Sequence, residues 1–231
     1  MVRTAHPTGE GDQITAMSQQ IQEEGVIKFD LQFTPAGPVS PNSLQELNRW
    51  RSILWTHKLI GQDPNRYEGY GFGNVSQRIA PFEEKCGKRA FVISGTQTGE
   101  LEELDNSHYA IVNSWNTGRN QVVASGPIKP SSESLTHAMI YDLDKELRAV
   151  LHVHSPDIWK AAASRNIPLT DASVEYGTLA MAQEVRRLFN ESNVRQSGIF
   201  AMGGHEDGVV SFGADVEQAG HILLRAQDEC R

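Results

Sequence analysis

Arg148-Ala149-Val150-Leu151-His152-Val153-His154-Ser155-Pro156 is a short apolar run with two histidines one residue apart. As a strand it places His152 and His154 on one face and Leu151 and Val153 on the other, because side chains alternate along an extended backbone. Same-face imidazoles at this spacing stand roughly 6 to 7 Å apart along the strand. Their ring nitrogens can converge on one ion at about 2.0 to 2.1 Å each. The run therefore reads as half of a metal site; two histidines hydrogen-bonded on a half-polar strand face is the plainer reading of the same pattern.

Working outward, the 39% hydrophobic and 22% charged content suits a filled globular core. With 231 residues and no Pro/Gly/Ser-rich linker in the middle, the chain reads as one domain over residues 41–231 behind a partly flexible N-terminal extension, residues 1–40. The extension is polar and rich in turn formers, with at most a short helix around Thr15 to Glu24. A net charge of -8 argues against nucleic acid as a partner. Cys86 and Cys230 lack ligand-like spacing and read as free thiols of a reducing compartment, which gives a cytoplasmic expectation. No signal sequence or membrane span is expected, because no apolar run approaches 18 residues.

From Leu44 to Leu59 apolar residues recur at three- and four-residue intervals, which predicts a helix capped by Asn42 or Ser43 and ended near Gly61. Glycines crowd Gly69 to Gly73 before a strand that starts near Asn74. A second strand, Ala90 to Ser94, runs into Gly95-Thr96-Gln97-Thr98-Gly99. Two glycine- and hydroxyl-rich loops suit an anion cradle of bare N–H groups, although a glycine hairpin would look the same. Strands over residues 108–125 follow. Pro130-Ser131-Ser132-Glu133 then opens a helix whose serine cap and free N–H groups form an anion site. Further helices are expected from Pro156, over residues 178–192, and from Asp215. Strands are expected at Ile199 to Met202 and Val209 to Phe212, with the turn Gly203 to Gly208 carrying His205. Interleaved strands and helices make this an α/β layered fold.

Gly73-Asn74-x-Ser76, Ser94-Gly95-Thr96-x-Thr98-Gly99, Ser131-Ser132-Glu133, His152-x-His154 and His205 occur in this order and at fitting separations. With them, residues 44 to 225 resemble the class II aldolase/adducin family. The resemblance implies a three-layer α/β/α sandwich around a largely antiparallel sheet. It also implies a divalent metal, zinc first, held by His152, His154 and His205, and Glu133 as acid/base. Asn74, Thr98, Gly99, Ser131 and Ser132 would hold a substrate phosphate. Three imidazoles leave zinc an open position, as catalytic sites do, for a metal-stabilised enediolate.

The implied function is an aldolase-type lyase acting on a small, phosphorylated hydroxy-carbonyl compound, as a homotetramer. A sugar-phosphate dehydratase or epimerase, or a non-enzymatic adducin-like binding module, are the alternatives. Family pattern and sequence part company in three places. Glu206 and Asp207, not glycine, follow His205; Ser173 stands where relatives carry a tyrosine; and no aromatic residue follows Phe212. The family's usual tyrosine proton donors are thus missing. His137, one turn beyond Glu133, reads as a support to the metal site or, with His57, His108 and His221, as a packing residue.

Overall fold

The computed structural model describes residues 25–40 and 44–231. In chain order its elements are β1 (Asp30–Pro35), α1 (Gln45–Thr56), β2 (Gly61–Gln62), β3 (Gly71–Phe72), β4 (Asn74–Arg78), β5 (Phe91–Ser94), β6 (Tyr109–Asn116), β7 (Gln121–Gly126), α2 (Ser134–Leu143), β8 (Ala149–His154), α3 (Pro156–Ala161), α4 (Leu179–Glu191), α5 (Val194–Ser197), β9 (Ile199–Ala201), β10 (Gly208–Gly213) and α6 (Val216–Cys230). Eight strands form the main sheet in the order β1-β7-β6-β5-β4-β8-β10-β9. Every pairing in it is antiparallel except that of β1 with β7. The fold is thus mixed α/β with a largely antiparallel sheet.

β8 lies between β4 and β10 and is buried along its whole length. Its alternation feeds two separate apolar clusters. Val150 joins Leu135 and Met139 of α2 and Val185 of α4. Ala149, Leu151 and Val153 join Trp50 of α1, Ile158 of α3 and Leu223 of α6. The apolar side of β8 is filled from end to end, whereas the other side turns polar at His152 and His154.

Several expectations shift. The extension is not all appendage: Asp30–Pro35 pairs in register with Gln121–Gly126 and completes one edge of the sheet. The expected caps Asn42 and Ser43, and the short helix around Thr15 to Glu24, lie outside the described residues. α1 stops at Thr56, before Gly61, which belongs to the β2–β3 pair. α2 starts at Ser134 with Glu133 as its N-cap residue, and the Glu133 side chain makes no cap bond. The Ser131 hydroxyl instead accepts the Glu133 N–H at 3.2 Å, one step ahead of the helix. Ser155 and Asp215 do cap α3 and α6. No helix among the described residues is long and apolar enough to cross a membrane.

Candidate active site

The site is assembled at one end of β8. Antiparallel pairing sets Gly208 opposite His154, so the turn that leads into β10 passes over the end of β8. That turn is closed by Met202 N–H to Gly208 O at 2.8 Å and Gly208 N–H to His205 O at 2.9 Å. His205 thereby meets the two strand histidines. The ring centroids of His152, His154 and His205 lie 5.1, 5.3 and 4.7 Å apart pairwise, and one ligand atom from each falls within 4.8 Å of the others.

The chemistry of the trio fits a divalent ion. Burial drives the His152 imidazolium down to about 3. Burial, then neighbouring His and Arg or Lys charges, holds His154 and His205 well below the ordinary histidine value. All three rings are therefore neutral at pH 7, the form that offers lone pairs. His154 Nε2 stands 3.0 Å from His205 Nε2, close to the separation of about 3.3 Å between two ligands of one tetrahedral zinc. His152 Nε2 is buried without a hydrogen-bond partner, a state that native interiors rarely tolerate.

Glu133 lies beside the cluster. It lines one cavity together with His152, Asn74, Gly99, Ser131 and Ser132. Glu133 is 2% exposed, and neither carboxyl oxygen makes a hydrogen bond. Burial, only partly offset by the nearby Thr136 hydroxyl and the Lys28 ammonium, pushes it up to about 7. The loops around the cavity are zipped together by Thr96 N–H to Lys129 O at 3.0 Å and Ser131 N–H to Ser94 O at 3.2 Å.

The glycines of the two loops have a packing use. A Cβ at Gly71 would stand 2.4 Å from the Glu100 nitrogen, and one at Gly99 would stand 2.5 Å from the Phe72 nitrogen. The loops touch backbone to backbone, which no larger residue permits. Thr98 is absent from the cavity wall; its hydroxyl donates to Gly95 O at 2.9 Å within its own loop. Of the other expected residues, the structure brings His152, His154 and His205 into one histidine cluster and sets Glu133, Asn74, Gly99, Ser131 and Ser132, together with His152, along that wall.

A second group surrounds the histidines and was not foreseen. The Tyr67 ring packs edge-on to His154 at 4.5 Å, and Phe72 lies 5.3 Å away from the same ring. The Tyr67 hydroxyl donates to Asp207 at 2.6 Å, and Arg66 pairs with the same carboxylate oxygen at 3.0 Å. Burial, followed by Asp207, raises the Tyr67 phenol. On the other flank Tyr176 packs on His205 at 4.5 Å, with the Lys28 ammonium 3.8 Å above the Tyr176 ring. Asp207 adopts a φ of +61°, a left-handed conformation that Asp accepts more readily than most residues. The expected departure after His205 thus has a structural counterpart in the Asp207 pair.

Four further histidines among the described residues have partners outside the cluster. His137 Nδ1 is 2.7 Å from the Ser76 hydroxyl, which is 2.7 Å from the Tyr141 hydroxyl. His57 meets Gln227, His108 meets Asp105 and His221 meets the Trp50 ring.

Comparison with known proteins bears on the family and the fold. Residues 63–231 match the model of the class II aldolase and adducin N-terminal domain. Among curated protein sequences none matches the chain. Among solved structures, an L-fuculose 1-phosphate aldolase superposes with a TM-score of 0.60 at 18% identity, over 84% of this chain and 84% of that one. YgbL of Escherichia coli, described as a candidate aldolase/epimerase/decarboxylase, gives 0.58 at 16% identity, over 81% and 86%. A sugar-phosphate aldolase from Thermotoga maritima gives 0.55 at 17% identity, over 82% and 97%. At these identities the superpositions speak for the fold.

Proposed function

Since the chain belongs to the class II aldolase and adducin family, we propose that it is a metal-dependent, aldolase-type lyase. On this reading it makes or breaks a C–C bond in a small hydroxy-carbonyl compound that carries a phosphate. One observation carries the reading: a buried carboxyl without hydrogen bonds, Glu133, shares a cavity wall with a member of a neutral three-imidazole cluster. A non-enzymatic binding module would have no need of it.

His152, His154 and His205 would hold the ion, zinc in this proposal. When bound, a divalent ion withdraws electron density from the substrate's carbonyl and hydroxyl oxygens. Glu133 accepts and returns the proton beside the bond that changes. A carboxyl near 7 is suited to both directions at neutral pH. Phe72, Tyr67 and Tyr176 pack against the imidazoles and keep water from their sides.

Ser131, Ser132 and Gly99 line the cavity next to the start of α2, where backbone N–H groups favour an anion. Thr98 serves that subsite by holding its loop. The names of the superposed aldolases support a sugar-phosphate substrate. The same family reading takes the helices and sheet as three α/β/α layers, with residues 41–231, completed at the sheet edge by Asp30–Pro35, as the catalytic domain of a cytoplasmic homotetramer.

The test joins metal analysis of the purified chain to a lyase screen over phosphorylated and unphosphorylated hydroxy-ketones. The expected result is one zinc per chain and aldehyde release that Glu133→Gln cuts by about 10²- to 10⁴-fold. A chain that binds no divalent ion, or a Glu133→Gln variant with full turnover, would overturn the proposal.

A further inference from the structure

Asn74 begins β4 directly opposite His152 of β8 in the antiparallel register. Its carboxamide nitrogen lies 3.1 Å from His152 Nδ1, and both residues are buried. Two buried polar atoms of this pair lack partners: Asn74 Oδ1 and His152 Nε2. With the amide N–H donating to a bare Nδ1, a neutral imidazole must carry its hydrogen on Nε2. That places a hydrogen where a lone pair is wanted. It also leaves Oδ1 unsatisfied, at a cost of about 1 to 3 kcal/mol.

Half a turn of the carboxamide frees Nε2 and pairs Oδ1, and leaves the amide N–H groups as the ones that need a partner, because its oxygen and nitrogen occupy nearly the same positions after rotation. Oδ1 then accepts Nδ1–H, and the Nε2 lone pair is free. The amide nitrogen comes to the place where Oδ1 was, on a residue that lines the Glu133 cavity. Resting on the metal-site reading above, we propose that Asn74 is a positioning residue. It fixes the His152 tautomer through Oδ1.

The local backbone is built for this juxtaposition. Gly73 has a φ of +84°, and a Cβ there would lie 2.7 Å from Ile60 Cγ1 and 3.2 Å from His152 O. The bare glycine lets the chain turn tightly against β8, so that Asn74 enters the sheet opposite the histidine. Partners of this kind, which fix the free nitrogen of a metal-bound histidine, typically matter by 10- to 100-fold in metal affinity.

The test uses the full chain and zinc alone, titrated in competition with a chelating dye. Asn74→Leu should weaken zinc binding by about 10- to 100-fold, whereas Asn74→Asp, which still accepts Nδ1–H, should restore most of it. Nitrogen NMR of the zinc-loaded wild-type protein, which needs no variant to fold, should find the His152 hydrogen on Nδ1. Wild-type zinc affinity in a folded Asn74→Leu chain, or a His152 that binds zinc through Nδ1, would overturn the inference and leave the metal centre standing. If the wild-type chain does not bind zinc at all, the proposed function falls first and this inference falls with it.

Discussion

Two buried carboxylates flank the histidine cluster, and they live in opposite circumstances. Asp207, in the turn before β10, accepts hydrogen bonds from the Tyr67 hydroxyl and the Arg66 guanidinium. Glu133, at the start of α2, accepts none. Burial alone therefore does not single out a reactive group. A buried carboxylate with two donors behaves as a structural anchor, while one left bare binds its proton more tightly and has capacity for chemistry.

The largest test of the contrast is Glu133→Gln. Turnover on whichever hydroxy-ketone the lyase screen identifies should fall about 10²- to 10⁴-fold. Metal-free stability should move the other way. A folded-state value of about 7 lies above that of an unfolded glutamate, so the native chain loses stability as pH rises from about 4.5 to 7. At pH 8 the variant should thus be more stable to urea by about 3 kcal/mol. Unchanged stability would mean that the carboxyl has partners after all.

Next in size is the acid response. The His152 value of about 3 lies below that of an unfolded histidine, and His154 and His205 shift the same way. Their contribution is complete above about pH 6.5 and is lost as pH falls toward 3. Glu133 acts in the opposite sense over part of this range, so Glu133→Gln should steepen the acid limb. A metal-free protein equally stable at pH 7 and pH 5 would contradict the burial of the trio.

Asp207→Asn should show the anchor. Removing one side of its buried pair with Arg66 should cost about 2 to 3 kcal/mol, with part regained in the Arg66→Met/Asp207→Asn double variant. A loss below about 0.5 kcal/mol would erase the distinction between the two carboxylates. Smallest of all is Lys28→Met. The Lys28 ammonium pulls the Glu133 carboxyl down slightly, so its loss should move the acidic limb of the rate profile upward by less than about one pH unit.

How much of this could be read in advance follows from distance along the chain. His152 and His154 were legible because two-residue alternation is a local signal. His205 came only through family resemblance, since nothing local ties it to a strand 51 residues away. Arg66 and Tyr67 were missed for the same reason: their partner Asp207 is 140 or more positions further on. β1 was a different oversight. Ile27, Phe29, Leu31 and Phe33 alternate with polar residues and all pack on one apolar cluster. The turn formers at Pro35, Gly37 and Pro38 drew attention away from a strand that precedes them.

That strand lies outside the family-matched span of residues 63–231, and it occupies the outer side of β7. A fragment cut back to begin at residue 41 would keep α1 but bare the β7 rim, where unmatched amide and carbonyl groups invite the strand of another copy. Such a fragment is expected to grow into assemblies as its concentration rises, because Asp30–Pro35 no longer shields that rim.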